Sequence, residues 1–243
     1  MKKRIIAFNW KMNPSDAKSA SALFRFASKY AKQPIIVAPP FVYLPLVSGL
    51  KSKLHSKNIF LAAQDAFVGS SGAFTGAISP AMLSEFGVSY VIVGHSERRY
   101  VFGESDQLIH AKISGLQDFG ITPILCVGER KKSSFEASWK IVKNQLDKDL
   151  KHAKKNNLII AYEPVWSIGG NKPTDASHSV RMISKIKSFL HTAYSIRVPV
   201  LYGGSVNCKN IDKFLQYNEI DGYLVGSASL KKDQLSCLIN KVI

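Results

Sequence analysis

Ile5-Ile6-Ala7-Phe8-Asn9-Trp10-Lys11-Met12-Asn13 carries the chain's first apolar run and then breaks it with polar side chains. Four apolar residues in succession, without polar alternation, suit a strand buried on both faces, as in a parallel sheet. The residues directly after this run separate two parallel-sheet architectures. A doubly wound dinucleotide-binding sheet places G-x-G-x-x-G there, so that backbone amides can approach a pyrophosphate. Asn9 to Asn13 hold that position here, which disfavours the doubly wound alternative.

Seven further apolar runs occur along the chain: Ile35-Ala38, Ile59-Ala63, Tyr90-Val93, Ile121-Val127, Leu158-Tyr162, Val198-Tyr202 and Ile220-Val225. Their starts recur roughly every 30 residues, about the length of one βα unit. The segments between them carry helical spacing. Ala17, Ala20, Leu23, Phe24 and Ala27 fall at intervals of three and four, with Ser15 or Asp16 placed to cap. Phe135 to Lys155 and Thr174 to Tyr194 show the same pattern. Eight such units in 243 residues predict an α/β protein, a single (β/α)8 barrel forming one domain over residues 1–243.

Charge and composition narrow the class. Lys and Arg number 33 against 17 Asp and Glu, a formal net charge of +16 that steers anions toward the surface. A nucleic-acid binder is therefore an alternative, but the lysines between Lys140 and Lys155 and at Lys185, Lys187, Lys231 and Lys232 spread over several expected outer helices. No recognised binding motif accompanies them, so no specific nucleic-acid partner is expected. Cys126, Cys208 and Cys237 show neither CxxC nor Cys/His spacing, and neither a disulfide framework nor a metal site is indicated. The basic start Met1-Lys2-Lys3-Arg4 leads into an apolar stretch that stops at Asn9, too short for an export signal. Gln33 to Leu50 holds four prolines and Ala66 to Ser84 is rich in Gly and Ser, so no membrane span is expected. A cytoplasmic location fits these features.

In a barrel, chemistry sits where strands end and βα loops begin. Asn9 and Lys11 end the first strand, with an i, i+2 spacing that directs both side chains to the same face. Gly94-His95-Ser96-Glu97-Arg98-Arg99 ends the fourth and Glu163-Pro164 the sixth. A lone lysine, histidine or glutamate at a strand end has an ordinary structural explanation. Asn, Lys, His and Glu converging on one cavity is poorly explained by chance. Gly203-Gly204-Ser205 and Gly226-Ser227-Ala228 come after the seventh and eighth runs, where backbone N–H groups can hold a phosphate.

With these residues assembled, the sequence resembles the triosephosphate isomerase family along nearly its whole length. The motifs Phe8 to Asn13, Gly72-Ala73-Phe74-Thr75-Gly76, Val93 to Arg99, Cys126-Val127-Gly128-Glu129, Ala161 to Trp166, Tyr202 to Ser205 and Asp221 to Gly226 occur in that family's order. The resemblance implies a TIM barrel that interconverts dihydroxyacetone phosphate and glyceraldehyde 3-phosphate, in glycolysis and gluconeogenesis, without metal or organic cofactor. It implies Glu163 as the base, His95 as the electrophile, Lys11 as fixed positive charge, Asn9 as a donor to the oxyanion and Glu97 as the residue ordering them. Phosphate binding falls to Asn9, Lys11, Gly169, Ser205, Gly226 and Ser227, with Pro164 to Lys172 as a closing lid. Thr75 would lie on a loop reaching a second copy in a homodimer. Another phosphate-binding barrel sugar isomerase is the alternative.

The sequence departs from the family's pattern in four places. The lid reads Ser167-Ile168-Gly169-Gly170-Asn171-Lys172-Pro173, Ser227 stands beside Gly226 in place of a second glycine, Ala77 replaces a glutamate, and the segment after Glu129 is short. In the family that glutamate pairs with an arginine across the dimer interface, so the resemblance implies that Arg98 loses a partner there.

Overall fold

Val, Ile, Leu and Ala at both parities leave the apolar runs with no wet face, and a ring of parallel strands covered by helices buries both. The computed structural model describes residues 3–151, 153, 157–168 and 175–242. The strands are β1 Ile5–Asn9, β2 Ile35–Ala38, β3 Ile59–Ala63, β4 Val88–Val93, β5 Thr122–Val127, β6 Ile159–Tyr162, β7 Val200–Tyr202 and β8 Gly222–Val225. Each pairs in parallel with the next, and β8 returns to β1 to close the barrel. The expected (β/α)8 architecture is therefore present.

Alternation along the strands divides the apolar side chains in two. Ala7, Ile36, Ala38, Ala62, Ile92, Ile124, Cys126, Ala161, Leu201 and Leu224 form a small cluster that fills the barrel's interior. Their neighbours in sequence, such as Ile6, Phe8, Val37, Val91 and Tyr223, join the larger cluster beneath the helices. Closing the ring demands a close approach at one seam. A Cβ on Gly222 would lie 2.0 Å from the carbonyl oxygen of Ile5, so only glycine lets β8 meet β1 there.

The helices are α1 Ala17–Tyr30, α2 Leu44–Lys53, α3 Pro80–Glu85, α4 Ser96–Tyr100, α5 Asp106–Asp118, α6 Phe135–Asp149, α7 Ala176–Tyr194, α8 Asp212–Leu215 and α9 Lys232–Val242. Asp16 caps α1, accepting from the Ser19 amide at 2.7 Å, while Ser105, Ser134 and Asp175 cap α5, α6 and α7. Several boundaries differ from expectation. α6 ends at Asp149, where the C-cap Leu150 gives its amide to the Leu146 carbonyl, and Lys154 and Lys155 of the expected helix lie outside the described residues. β7 starts at Val200 because Pro199 has no N–H to give a ladder, and the Asp221 carboxylate accepts the Val200 amide at 2.8 Å. Among the described residues, no helix is long and apolar enough to cross a membrane.

One expectation is overturned. Cys208 and Cys237, whose spacing indicated no disulfide, are joined, with Cα atoms 6.0 Å apart. Although 29 residues separate them, α9 packs back beside the segment after β7, a proximity that linear spacing does not encode.

Candidate active site

The carboxyl ends of β1, β3, β4 and β6 converge on one cluster. Asn9, the last residue of β1, is buried and its Oδ1 accepts the Lys11 amide at 2.9 Å. That bond accompanies a left-handed conformation at Lys11, φ 53°, which is uncommon for a residue with a Cβ. Asn9 and Lys11 do point to one site, but not through the pleating that their i, i+2 spacing suggested. β1 has already ended, and a turn aims the lysine instead. Gln64, just past β3, fixes the turn from behind by donating to the carbonyls of Lys11 at 2.8 Å and Ala38 at 2.9 Å. It was missed in the sequence, although the strand-end rule that found Asn9 would have found it.

His95 caps α4, and its Nδ1 accepts the Glu97 amide at 3.2 Å. A nitrogen that accepts carries no proton, so a neutral imidazole bears its hydrogen on Nε2. That Nε2 lies 3.2 Å from Oε1 of Glu163, while Glu163 Oε2 accepts the Ser96 amide at 3.1 Å. Lys11 Nζ reaches Glu97 Oε1 at 2.7 Å. Desolvation alone would raise the Glu97 carboxyl, but the hydrogen bond from Lys11 and its positive charge hold it below the usual carboxylate range. Lysine, carboxylate, imidazole and carboxylate thus stand in a connected row.

Glycines make room for this row. A Cβ on Gly128 would lie 1.7 Å from the Glu163 carbonyl oxygen, and one on Gly203 would lie 3.0 Å from Glu163 Cγ. Gly226 faces Lys11, whose Cε would be 3.5 Å from an added Cβ, so the loop after β8 lies against the lysine. Ser227 opens a 3-10 turn, Ser227–Leu230, and its φ is not positive, so a side chain there brings no backbone strain. Ser205 is braced by Asn210, whose Nδ2 donates to its carbonyl at 2.9 Å. Gly169 lies outside the described residues, as do the other residues of the expected lid beyond Ile168. At the opposite end of the barrel, a cavity of about 620 Å³ opens between Lys3, Ile5, Leu190, Ile196 and Val198, away from these groups.

Glu129 is a second residue that the motif hid. It is fully buried, and its carboxylate accepts Trp166 Nε1 at 2.8 Å and the Tyr162 hydroxyl at 3.1 Å. Burial pushes the Tyr162 phenol up, which keeps it a donor. Trp166 lies in the 3-10 turn Val165–Ser167 just past Glu163, where Ser167 Oγ also donates to the Pro164 carbonyl at 2.8 Å. Glu129 therefore anchors the 3-10 turn that follows β6, where the expected lid begins. A hydrogen bond to a buried charge contributes about 1.5–3 kcal/mol, so Trp166→Phe is expected to lower Tm by about 5 °C. An unchanged melting curve would show that the indole N–H is not holding Glu129.

Within its own chain Arg98 has acidic partners, whatever it lacks across a dimer interface. Its guanidinium donates to Glu104 at 2.8 and 2.6 Å and lies 3.0 Å from Asp65, while Lys112 bridges the same two carboxylates. The α4–α5 connection, invisible to motif matching, brings Glu104 to it. Thr75 is exposed on the loop between β3 and α3. Among the described residues, no group of three or more His, Cys, Asp or Glu could hold a metal ion.

Known proteins resemble this chain over nearly its whole length. The sequence model of the family described as triosephosphate isomerase matches residues 4–242. A triosephosphate isomerase from a Nostoc species is 42% identical over 246 residues, covering 99% of each chain. One from a Picosynechococcus species is 41% identical over the full length of both, and one from Thermoanaerobacter pseudethanolicus is 39% identical over 99% of this chain and all of its own.

Proposed function

The chain belongs to the triosephosphate isomerase family and interconverts dihydroxyacetone phosphate and glyceraldehyde 3-phosphate; we propose that Glu163 moves the proton and that His95, Lys11, Asn9 and Glu97 complete the site. One observation carries the assignment: the Glu163 carboxylate and the proton-bearing nitrogen of His95 are 3.2 Å apart, in a row that ends on Lys11. A carbon acid next to a carbonyl needs a base at the carbon and a donor at the oxygen, held simultaneously. Glu163 removes the proton from one carbon and returns it to its neighbour. His95 Nε2–H donates to the substrate oxygens as charge develops on them. Asn9 spends its Oδ1 on Lys11, which leaves its amide N–H groups to donate to the same oxyanion. Glu97 holds Lys11 and His95 in place and touches no substrate in this scheme.

Ser205, Gly226, Ser227 and Gly169 are proposed to donate backbone N–H groups to the phosphate, with Lys11 supplying charge. The contact of Gly226 with the Lys11 stem supports this grouping. A coupled assay on glyceraldehyde 3-phosphate tests the function. No turnover above background, with turnover on a different phosphosugar, would favour the alternative barrel isomerase.

A homodimer is proposed on the apolar groups left uncovered around the Thr75 loop. Met12 is 94% exposed, Val101 74%, Phe102 66% and Phe74 53%. They are neighbours: Gln64 touches Lys11, Asp65 touches Arg98, Arg98 stacks on Phe102, and Phe67 packs on Phe74. Such a patch calls for a protein partner, and a second copy is the proposed occupant. Light scattering that gave a fully active monomer would contradict it. A single domain and a cytoplasmic location complete the proposal; cell fractionation tests the latter.

A further inference from the structure

We infer that Cys208 and Cys237 form a reversible thiol–disulfide pair, a modification site for small anionic disulfides and thiols of the glutathione class, whose state sets how firmly the two phosphate loops are held. The effect on phosphate rests on the loop assignment above; the pairing itself does not.

Position in the fold gives the pair its reach. Cys208 lies three residues beyond Ser205, in the segment after β7, and Cys237 lies on α9, which begins directly after the turn Ser227–Leu230. The bond thus joins the continuations of both phosphate loops. Both cysteines are only half-buried, unlike a thiol sealed in the core, which leaves a small reagent a route to the pair. Cys126 is different: it is sealed inside the barrel, and burial pushes its thiol far up, so it stays unreactive in the folded protein.

The pair stays in register when the bond is open. Gln234 on α9 accepts the Cys208 amide at 3.0 Å, and Leu235, Leu238 and Ile239 bury α9 against the barrel. The second thiol is therefore always close to the first, which makes ring closure efficient. Lys209, Lys231 and Lys232 are exposed in the same region and attract an anionic reagent.

The chemistry balances with glutathione alone. One cysteine thiolate attacks the disulfide of oxidised glutathione, forming a mixed disulfide and expelling a glutathione thiolate. The other cysteine thiolate then attacks the protein sulfur of that mixed disulfide and expels the second glutathione. The pair loses two electrons and two protons, and the oxidant becomes two thiols. Reduction is the reverse.

The test equilibrates the full chain in mixtures of oxidised and reduced glutathione, traps free thiols by alkylation for mass analysis, and measures Tm, KM and kcat on glyceraldehyde 3-phosphate. Two thiols should disappear together in one two-electron transition. Closing a loop of this length should raise Tm by roughly 10 °C. KM should be roughly fivefold lower in the oxidised form, at the modest end of coupling between sites. kcat should not move, because Glu163, His95 and Lys11 lie on other strands. Cys208→Ser and Cys237→Ser should each keep the Tm and KM of the reduced protein at every ratio, the remaining thiol forming at most an unresolved mixed disulfide. The inference is overturned if in the parent chain both thiols alkylate at every ratio, if there a mixed disulfide on one cysteine accumulates, or if the bond forms without moving KM. Absence of any isomerase turnover in either state would instead sink the functional assignment, leaving the thiol transition and Tm shift to stand or fall separately.

Discussion

Glu163→Asp is expected to lower kcat by roughly 10²-fold or more, because removing one methylene withdraws the carboxylate by about 1 Å from the carbon it serves. The backbone cannot advance to compensate. The Glu163 amide is bonded to the Val127 carbonyl at 2.8 Å, the Glu163 carbonyl lies hard against Gly128, and its side chain passes over Gly203. A shortened side chain would thus remain short of its target. It would also lose the reach to the Ser96 amide and His95 Nε2 that aligns the carboxylate here. The fold should be nearly unaffected, since the change removes a single buried methylene. A near-normal kcat with an unchanged melting curve would remove Glu163 as the base.

Lys11→Met is expected to lower kcat/KM by about 10³-fold, at least as much as the loss of one preorganised oxyanion donor. Methionine keeps the length and the apolar stem over Gly226 but removes the positive charge that the row presents at its outer end. Two losses combine: the fixed charge near the phosphate, and the hydrogen bond that holds Glu97. Glu97 would then lose the contact that keeps its carboxyl below the usual range, and with it the order of the row. The stability change should be small, because the Lys11–Glu97 pair is partly solvent-exposed and such pairs contribute little. Inhibition by inorganic phosphate should weaken in parallel. If phosphate inhibits the variant as well as the parent, the lysine is not part of the anion site.

Much of this arrangement was legible in the residues alone. Strands buried on both faces leave a plain signature, and the runs at Ile35-Ala38 and Ile59-Ala63 match β2 and β3 at both ends. Boundaries failed where a side chain or a missing N–H decided them, as at Pro199 and Asp221 before β7. Asn9, Lys11, His95 and Glu163 were named because strand ends are where a barrel does chemistry. The turn at Lys11, the grip of Gln64 and the burial of Glu129 were not, because each depends on a neighbour distant in the chain.

By itself, the order of residues determined the repeating unit, the ring it builds and the identity of the chemical groups at its mouth. Those properties derive from local apolar patterning and from spacing along one strand, both of which are short-range. Only the tertiary structure decided which nitrogen of His95 carries the proton, that Arg98 finds Glu104 and Asp65, and that Cys208 meets Cys237. Each of these is a contact set by the closed ring, where chain separation sets no limit on distance and only the packed helices and strands determine which side chains meet.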